Sequence, residues 1–207
     1  MGSRGVRVAS GVGAVAIALA LSGCGAPPWE GDVPSSAPVD QSATPLPTAT
    51  VESIVNELAG GVTEHTVTAG DASLSIRYWS TLSMDKWVAS ANKPVSLSLQ
   101  SSLGTDRGQG VYLSRVSLST QVVGPLGPLP SPPAVVDQAN LTPGYQMKDP
   151  YTYSQTFVLP EVDPTATGVI LTISYEVLIQ TTPKSTEYAK QTAVDTLTIA
   201  IAAEPQG

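Results

Sequence analysis

Between residue 62 and the carboxyl end, apolar side chains recur at every second position. The clearest run is Val169, Leu171, Ile173, Tyr175, Val177 and Ile179, with Thr172, Ser174 and Glu176 in between. A period of two places all the apolar groups on one face of a strand, and such a strand persists only if another layer covers that face. The same alternation appears in Leu74, Ile76 and Tyr78, in Val95, Leu97 and Leu99, across residues 111–123, and in Tyr151, Tyr153, Phe157 and Leu159. It returns in Leu197, Ile199 and Ile201, after a turn at Pro183-Lys184-Ser185 that predicts a long antiparallel hairpin. About seven to eight short strands with frequent turn residues predict an all-β fold. The expected architecture is an antiparallel immunoglobulin-like β-sandwich over residues 62–203, followed by a tail at 204–207, with a small barrel as the alternative. The chain has one cysteine, so the cysteine pair of a true immunoglobulin domain is missing and only the general shape is implied. A domain of roughly 150 residues buries about two thirds of its unfolded surface and needs no covalent staple.

Three places depart from this pattern. Val51, Ile54, Val55 and Leu58 follow Thr50 at helical spacing and stop at Gly60-Gly61, which predicts a short helix over residues 51–61. Residues 124–150 contain Pro125, Pro128, Pro130, Pro132, Pro133, Pro143 and Pro150, too many for a central strand. They are expected to form a crossover between sheets, with a short edge strand at Val135 and Val136; a partner-binding loop is the other reading. Asp195 shares the parity of Leu197 and Ile199 and points inward if its strand runs without a bulge, where a tyrosine hydroxyl would satisfy it, the opposing position lying near Tyr175; a bulge, or a place at the end of the sandwich, is the other reading.

The amino terminus has a different organisation. Arg4 and Arg7 precede residues 8–21, an uncharged stretch built mostly of Ala, Val and Leu and too short to span a bilayer. It ends in Leu21-Ser22-Gly23-Cys24, which resembles the lipobox of bacterial lipoproteins: a branched residue, two small ones and the acceptor cysteine. The resemblance covers only these first 24 residues. It implies a signal peptide at 1–23, thioether lipidation of Cys24, cleavage before it and acylation of the new amino group, leaving the protein lipid-anchored on the extracytoplasmic face of the cell membrane. Cys24 is the only cysteine, so no disulfide is available to an exported domain. Residues 24–50 hold Pro27, Pro28, Pro34, Pro38, Pro45 and Pro47 among Ser, Thr and Ala, the composition of an extended tether.

Charge and side-chain inventory narrow the chemistry. Without Arg4 and Arg7, the ten basic residues become eight against seventeen acidic ones, a net charge of −9. That balance argues against nucleic acid and against electrostatic binding to anionic lipid. His65 is the only histidine, so no multi-histidine metal site exists and no metal or other cofactor is expected. It would have to be the base of any serine triad, yet no Gly-x-Ser-x-Gly elbow is present. Ser83-Met84-Asp85-Lys86 and Ser90-Ala91-Asn92-Lys93 match the Ser-x-x-Lys spacing of penicillin-recognising enzymes, but no Lys-Thr-Gly follows. Nothing in the order of Glu161, Asp163, Glu176 and Glu187 nominates a glycosidase pair.

Binding is the remaining expectation. Trp79 and Trp87 flank residues 80–86, and Tyr145, Tyr151 and Tyr153 cluster beside the proline-rich segment. Trp79, Trp87 and Tyr145 are therefore the candidate aromatics for an envelope protein or glycan partner, with core packing as the competing role. The expected function is a non-catalytic interaction module on the cell envelope. A solute-binding lipoprotein and an envelope hydrolase are the two alternatives.

Overall fold

A computed structural model describes residues 54–204; Cys24, the expected signal peptide over 1–23 and the expected tether over 24–50 lie outside the described residues. The described chain is all-β. β1 (Val62–Ala69), β2 (Ala72–Trp79), β3 (Lys93–Leu103) and β8 (Tyr153–Leu159) form a four-stranded antiparallel sheet in the order β1-β2-β3-β8. β10 (Tyr188–Ala200), β9 (Gly168–Gln180) and β4 (Val111–Gly124) lead the second sheet, which β5 (Gly127–Leu129), β6 (Val135–Gln138) and β7 (Tyr145–Gln146) complete. Six of the seven long strands carry the alternating apolar runs, β1 being the one without such a run, and the three short ones all come from the proline-rich segment.

One apolar core lies between the sheets. It includes Leu74, Ile76, Leu97 and Leu99 from the first sheet and Val116, Leu118, Leu171, Ile173 and Leu197 from the second, all essentially solvent-free. The predicted hairpin is the β9–β10 pair, unbroken from Tyr188↔Gln180 to Ala200↔Gly168. In β4 the register shifts between Leu113 and Arg115, so inward positions change from odd (Val111, Leu113) to even (Val116, Leu118). A bulge is the simplest device that reverses parity within a strand.

The proline-rich segment runs as a crossover along the outer edge of β4. β7 pairs with Tyr112 and Leu113, β6 with residues 115–118, and β5 with residues 122–124. Short pieces separated by prolines satisfy the edge of β4 without presenting a new long edge. The expected edge strand at Val135 and Val136 is β6.

The helix expected over 51–61 is not formed by the described residues 54–61, which make turns. Hydrogen bonds from Glu57 to the free edge of β10 win over the helical pattern here. The Glu57 N–H donates to Thr198 O (3.0 Å), and its carboxylate accepts from the Thr198 N–H. Asn56 Oδ1 accepts from the Leu58 N–H at 3.1 Å, a local turn that drops Leu58 into the core. Val55 is left 71% exposed, so the apolar stripe a helix would need is split.

Candidate functional site

The two sheets meet differently at their two sides. At one side, β1 and β10 are held together by side chains that cross the gap. At the other, β8 and the short strands β6 and β7 end their sheets, and a groove of about 470 Å³ opens between them.

The chain constructs this groove by crossing from one sheet to the other over residues 145–153. Gly144 lies so close to β4 that a Cβ there would meet Leu113 O at 2.5 Å, so only glycine permits the approach that pairs Tyr145 with Leu113. Met147, fully buried, then joins both sheets: its N–H donates to Val111 O (3.1 Å) and its carbonyl accepts from the Ser101 N–H (2.7 Å). Lys148 fixes the corner through Asp106 Oδ1 (2.6 Å) and Gln109 O (3.0 Å). Tyr151 follows at the rim, and Tyr153 enters β8 facing inward.

Tyr145 and Tyr153 stack with centroids 5.5 Å apart and planes 27° from parallel. The Tyr153 hydroxyl donates to Asp137 Oδ2 at 2.5 Å, which links β8 to β6. Burial, reinforced by this hydrogen bond, pushes the Tyr153 phenol well above its ordinary value, so it stays a donor at any physiological pH. Tyr153 is thus the floor, half-buried Tyr145 a wall and Tyr151, 54% exposed, the rim. Leu141 is equally exposed on the far lip, and Gln146 and Gln155 bring side-chain amides.

Of the candidate aromatics, only Tyr145 belongs to this groove. Trp87 is fully buried, and its Nε1 donates to Ser80 Oγ at 3.0 Å, so it is a core residue and the expectation of a partner-facing Trp87 is corrected. It follows a three-residue 3-10 turn (Met84–Lys86), where strand parity gives no guide to side-chain direction. Trp79 is half-buried on the outer face of the four-stranded sheet, away from Tyr145. Asp137, Leu141, Gln146 and Gln155 did not stand out in the sequence; the one signal for Asp137 is that it is the lone charge between Gly124 and Lys148.

The opposite side of the molecule holds His65 and a chain of buried polar groups. His65 Nδ1 lies 2.9 Å from Asp195 Oδ2, and Nε2 lies 3.2 Å from Glu57 Oε1, so both ring nitrogens face carboxylates. Asp195 points inward as expected. Its cross-strand neighbour is Ile173, and the hydroxyl that reaches it is that of Tyr78, at 2.7 Å, which also meets the Tyr175 hydroxyl at 2.7 Å. Each phenol has one proton. Tyr78 donates to Asp195, Tyr175 donates to Tyr78, and the chain of donors ends on a carboxylate. Burial holds both phenols well above their ordinary range.

Lys93, the lysine of the second Ser-x-x-Lys match, is solvent-free, with Nζ held by Ala91 O (2.5 Å), Ala89 O (3.1 Å) and Val88 O (3.3 Å). Its three protons are committed to main-chain acceptors, and desolvation lowers its pKa. Ser83 and Lys86 of the first match are both exposed around the 3-10 turn. Among the carboxylates, Glu161 and Asp163 share a cleft of about 540 Å³ with Glu204, while Glu176 pairs with Lys190 at 2.8 Å. Among the described residues no group of three or more His, Cys, Asp or Glu is placed to hold a metal, and no helix is long and apolar enough to cross a membrane.

Compared with known protein families and with curated proteins, the chain matches no family model and no curated sequence.

Proposed function

We propose that this chain is a bacterial envelope lipoprotein, acylated on Cys24 and held outside the cytoplasm, whose immunoglobulin-like sandwich is a non-catalytic binding module. The observation that carries the binding part is the groove at the open side, where Tyr145, Tyr151 and Tyr153, from elements belonging to two different sheets, converge with side-chain amides around them. Tyrosine is well suited to such a surface, because it offers a large amphipathic contact area with little rotamer freedom to lose. The non-catalytic part is supported by the commitment of the two residues that nucleophilic catalysis would need: His65 lies between two carboxylates, and Lys93 sits inside a cage of carbonyls. The anchoring part rests on the lipobox resemblance and on Cys24 being the sole thiol.

Metabolic labelling with a fatty-acid analogue, followed by membrane fractionation, tests the anchoring. The wild-type chain is expected to be labelled and membrane-bound, and Cys24→Ala unlabelled. Label retained in Cys24→Ala, or an unlabelled wild-type chain, would contradict it.

A further inference from the structure

We propose that the groove between β8 and the β6–β7 edge binds a neutral saccharide, with a sugar ring stacked on Tyr151 and Tyr145 and its hydroxyls read by Gln146 and Gln155. This deepens the binding role proposed above and rests on it.

The chemistry of the lining selects the ligand class. A sugar presents an apolar C–H face and an equatorial fringe of hydroxyls, each both donor and acceptor. The groove offers the complements of both: tyrosine rings with exposed area at the rim, and the side-chain amides of Gln146, which can donate and accept, and of Gln155, whose Oε1 accepts the Thr156 N–H at 3.0 Å and whose NH2 is a donor. A volume of about 470 Å³ is within the range of small-ligand sites.

Charge selects further. The one carboxylate of the lining, Asp137, already accepts the Tyr153 proton, and no basic side chain lines the groove. An anionic ligand would meet Asp137 with nothing to neutralise it. A neutral ligand meets no such repulsion, and Asp137 keeps acceptor capacity for a ligand hydroxyl beside its bond from Tyr153.

The competing occupant is a proline-rich peptide, which also favours tyrosine-lined grooves. Such a peptide needs donors for its outward carbonyls. The groove can supply these from Gln146, Thr152, Ser154 and Gln155, but a proline-rich peptide has few N–H groups with which to meet the acceptor oxygens of the same side chains, whereas a ligand rich in hydroxyls matches both.

The test uses the mature chain with Cys24→Ser, applied to an array of neutral oligosaccharides of hexoses, pentoses and N-acetylhexosamines, with decaproline as the peptide arm. Any saccharide that binds is then titrated by calorimetry against wild type, Tyr151→Ala, Gln155→Ala and the distant control Tyr188→Ala. Tyr151 is exposed, so its truncation leaves the fold intact, which an unchanged melting temperature verifies. The expected result is saccharide binding that weakens roughly tenfold or more in Tyr151→Ala and in Gln155→Ala and is unchanged in Tyr188→Ala. Saccharide binding indifferent to Tyr151→Ala, or no saccharide binding, overturns the proposal. Decaproline binding lost in Tyr151→Ala, without saccharide binding, overturns the saccharide while leaving the groove as a binding surface; binding of neither probe removes both.

Discussion

Asp195→Ala is the substitution with the largest consequence that can be worked out from the β1–β10 side of the sandwich. Tyr175 and Tyr78 are solvent-free, and their two protons run in series to one acceptor, Asp195 Oδ2. Removing the carboxylate leaves two phenols that can satisfy each other only once, so one proton is orphaned whichever way the pair is oriented. An unsatisfied buried donor costs about 1–3 kcal/mol, and a hydrogen bond to a charged acceptor contributes about 1.5–3 kcal/mol. The two figures overlap, and the Asp195 side chain retains 11% exposure through which water can enter, so a net loss of about 3 kcal/mol is expected. For a domain of roughly 150 residues that corresponds to a fall in Tm of about 6–12 °C. Urea unfolding of the Cys24→Ser chain supplies the assay, in a cycle of Asp195→Ala, Tyr78→Phe and the double variant. Phenylalanine at 78 removes the proton that Asp195 accepts, so the double variant is expected to lose less than the sum of the singles by at least about 1 kcal/mol. A loss below about 1 kcal/mol for Asp195→Ala, or strict additivity, would refute the reasoning.

Three further outcomes follow from the same physical arguments. Tyr78, Tyr153 and Tyr175 all hold their protons above the value they have when unfolded, so the folded state retains protons that the unfolded chain releases once pH exceeds about 10, and stability falls as pH rises through that point; alkaline titration of Tyr175→Phe by circular dichroism is expected to show a shallower fall than wild type. Lys93 shifts the opposite way for a cation, losing its proton more readily when folded, so the cost of keeping it charged is present at neutral pH and relieved as pH rises toward 10.5; the stability of wild type relative to Lys93→Met is therefore expected to increase over that interval, as read by paired urea titrations. Trp87→Ala removes a buried indole and its hydrogen bond to Ser80 and is expected to cost about 3–5 kcal/mol in the same assay, whereas Trp79→Ala, on the half-exposed outer face, costs less than half of that.

The parts of the fold written in a short period were legible in the sequence. The alternation in Val169 to Ile179 marks both faces of β9, and the parity of Asp195 turns it inward once β10 runs without a bulge, a condition that the sequence leaves open and the unbroken β9–β10 register meets. The helical spacing of Val51, Ile54, Val55 and Leu58 misled, since a pattern of four residues is easily outweighed by two hydrogen bonds from Glu57 to the edge of β10. Trp87 was ambiguous because it follows a turn. The tyrosine cluster could be seen along the chain, but the groove could not: its walls depend on Met147 tying β4 to β3 and on β6 lying along β4, both matters of register between distant segments. Asp137 and Gln155 become neighbours only after that crossover is made.

The proposed binding surface is the seam between β8 and the β6–β7 edge. Fluorine NMR of the 3-fluorotyrosine-labelled Cys24→Ser chain, titrated with solubilised envelope polysaccharide and then with envelope protein extract, tests it directly, since the seven tyrosines report on both sides of the sandwich and on its core. Shifts or broadening are expected at Tyr145, Tyr151 and Tyr153, with Tyr78, Tyr112, Tyr175 and Tyr188 unmoved. Perturbation centred on Tyr112 and Tyr188, or seven unmoved resonances with both extracts, would contradict it.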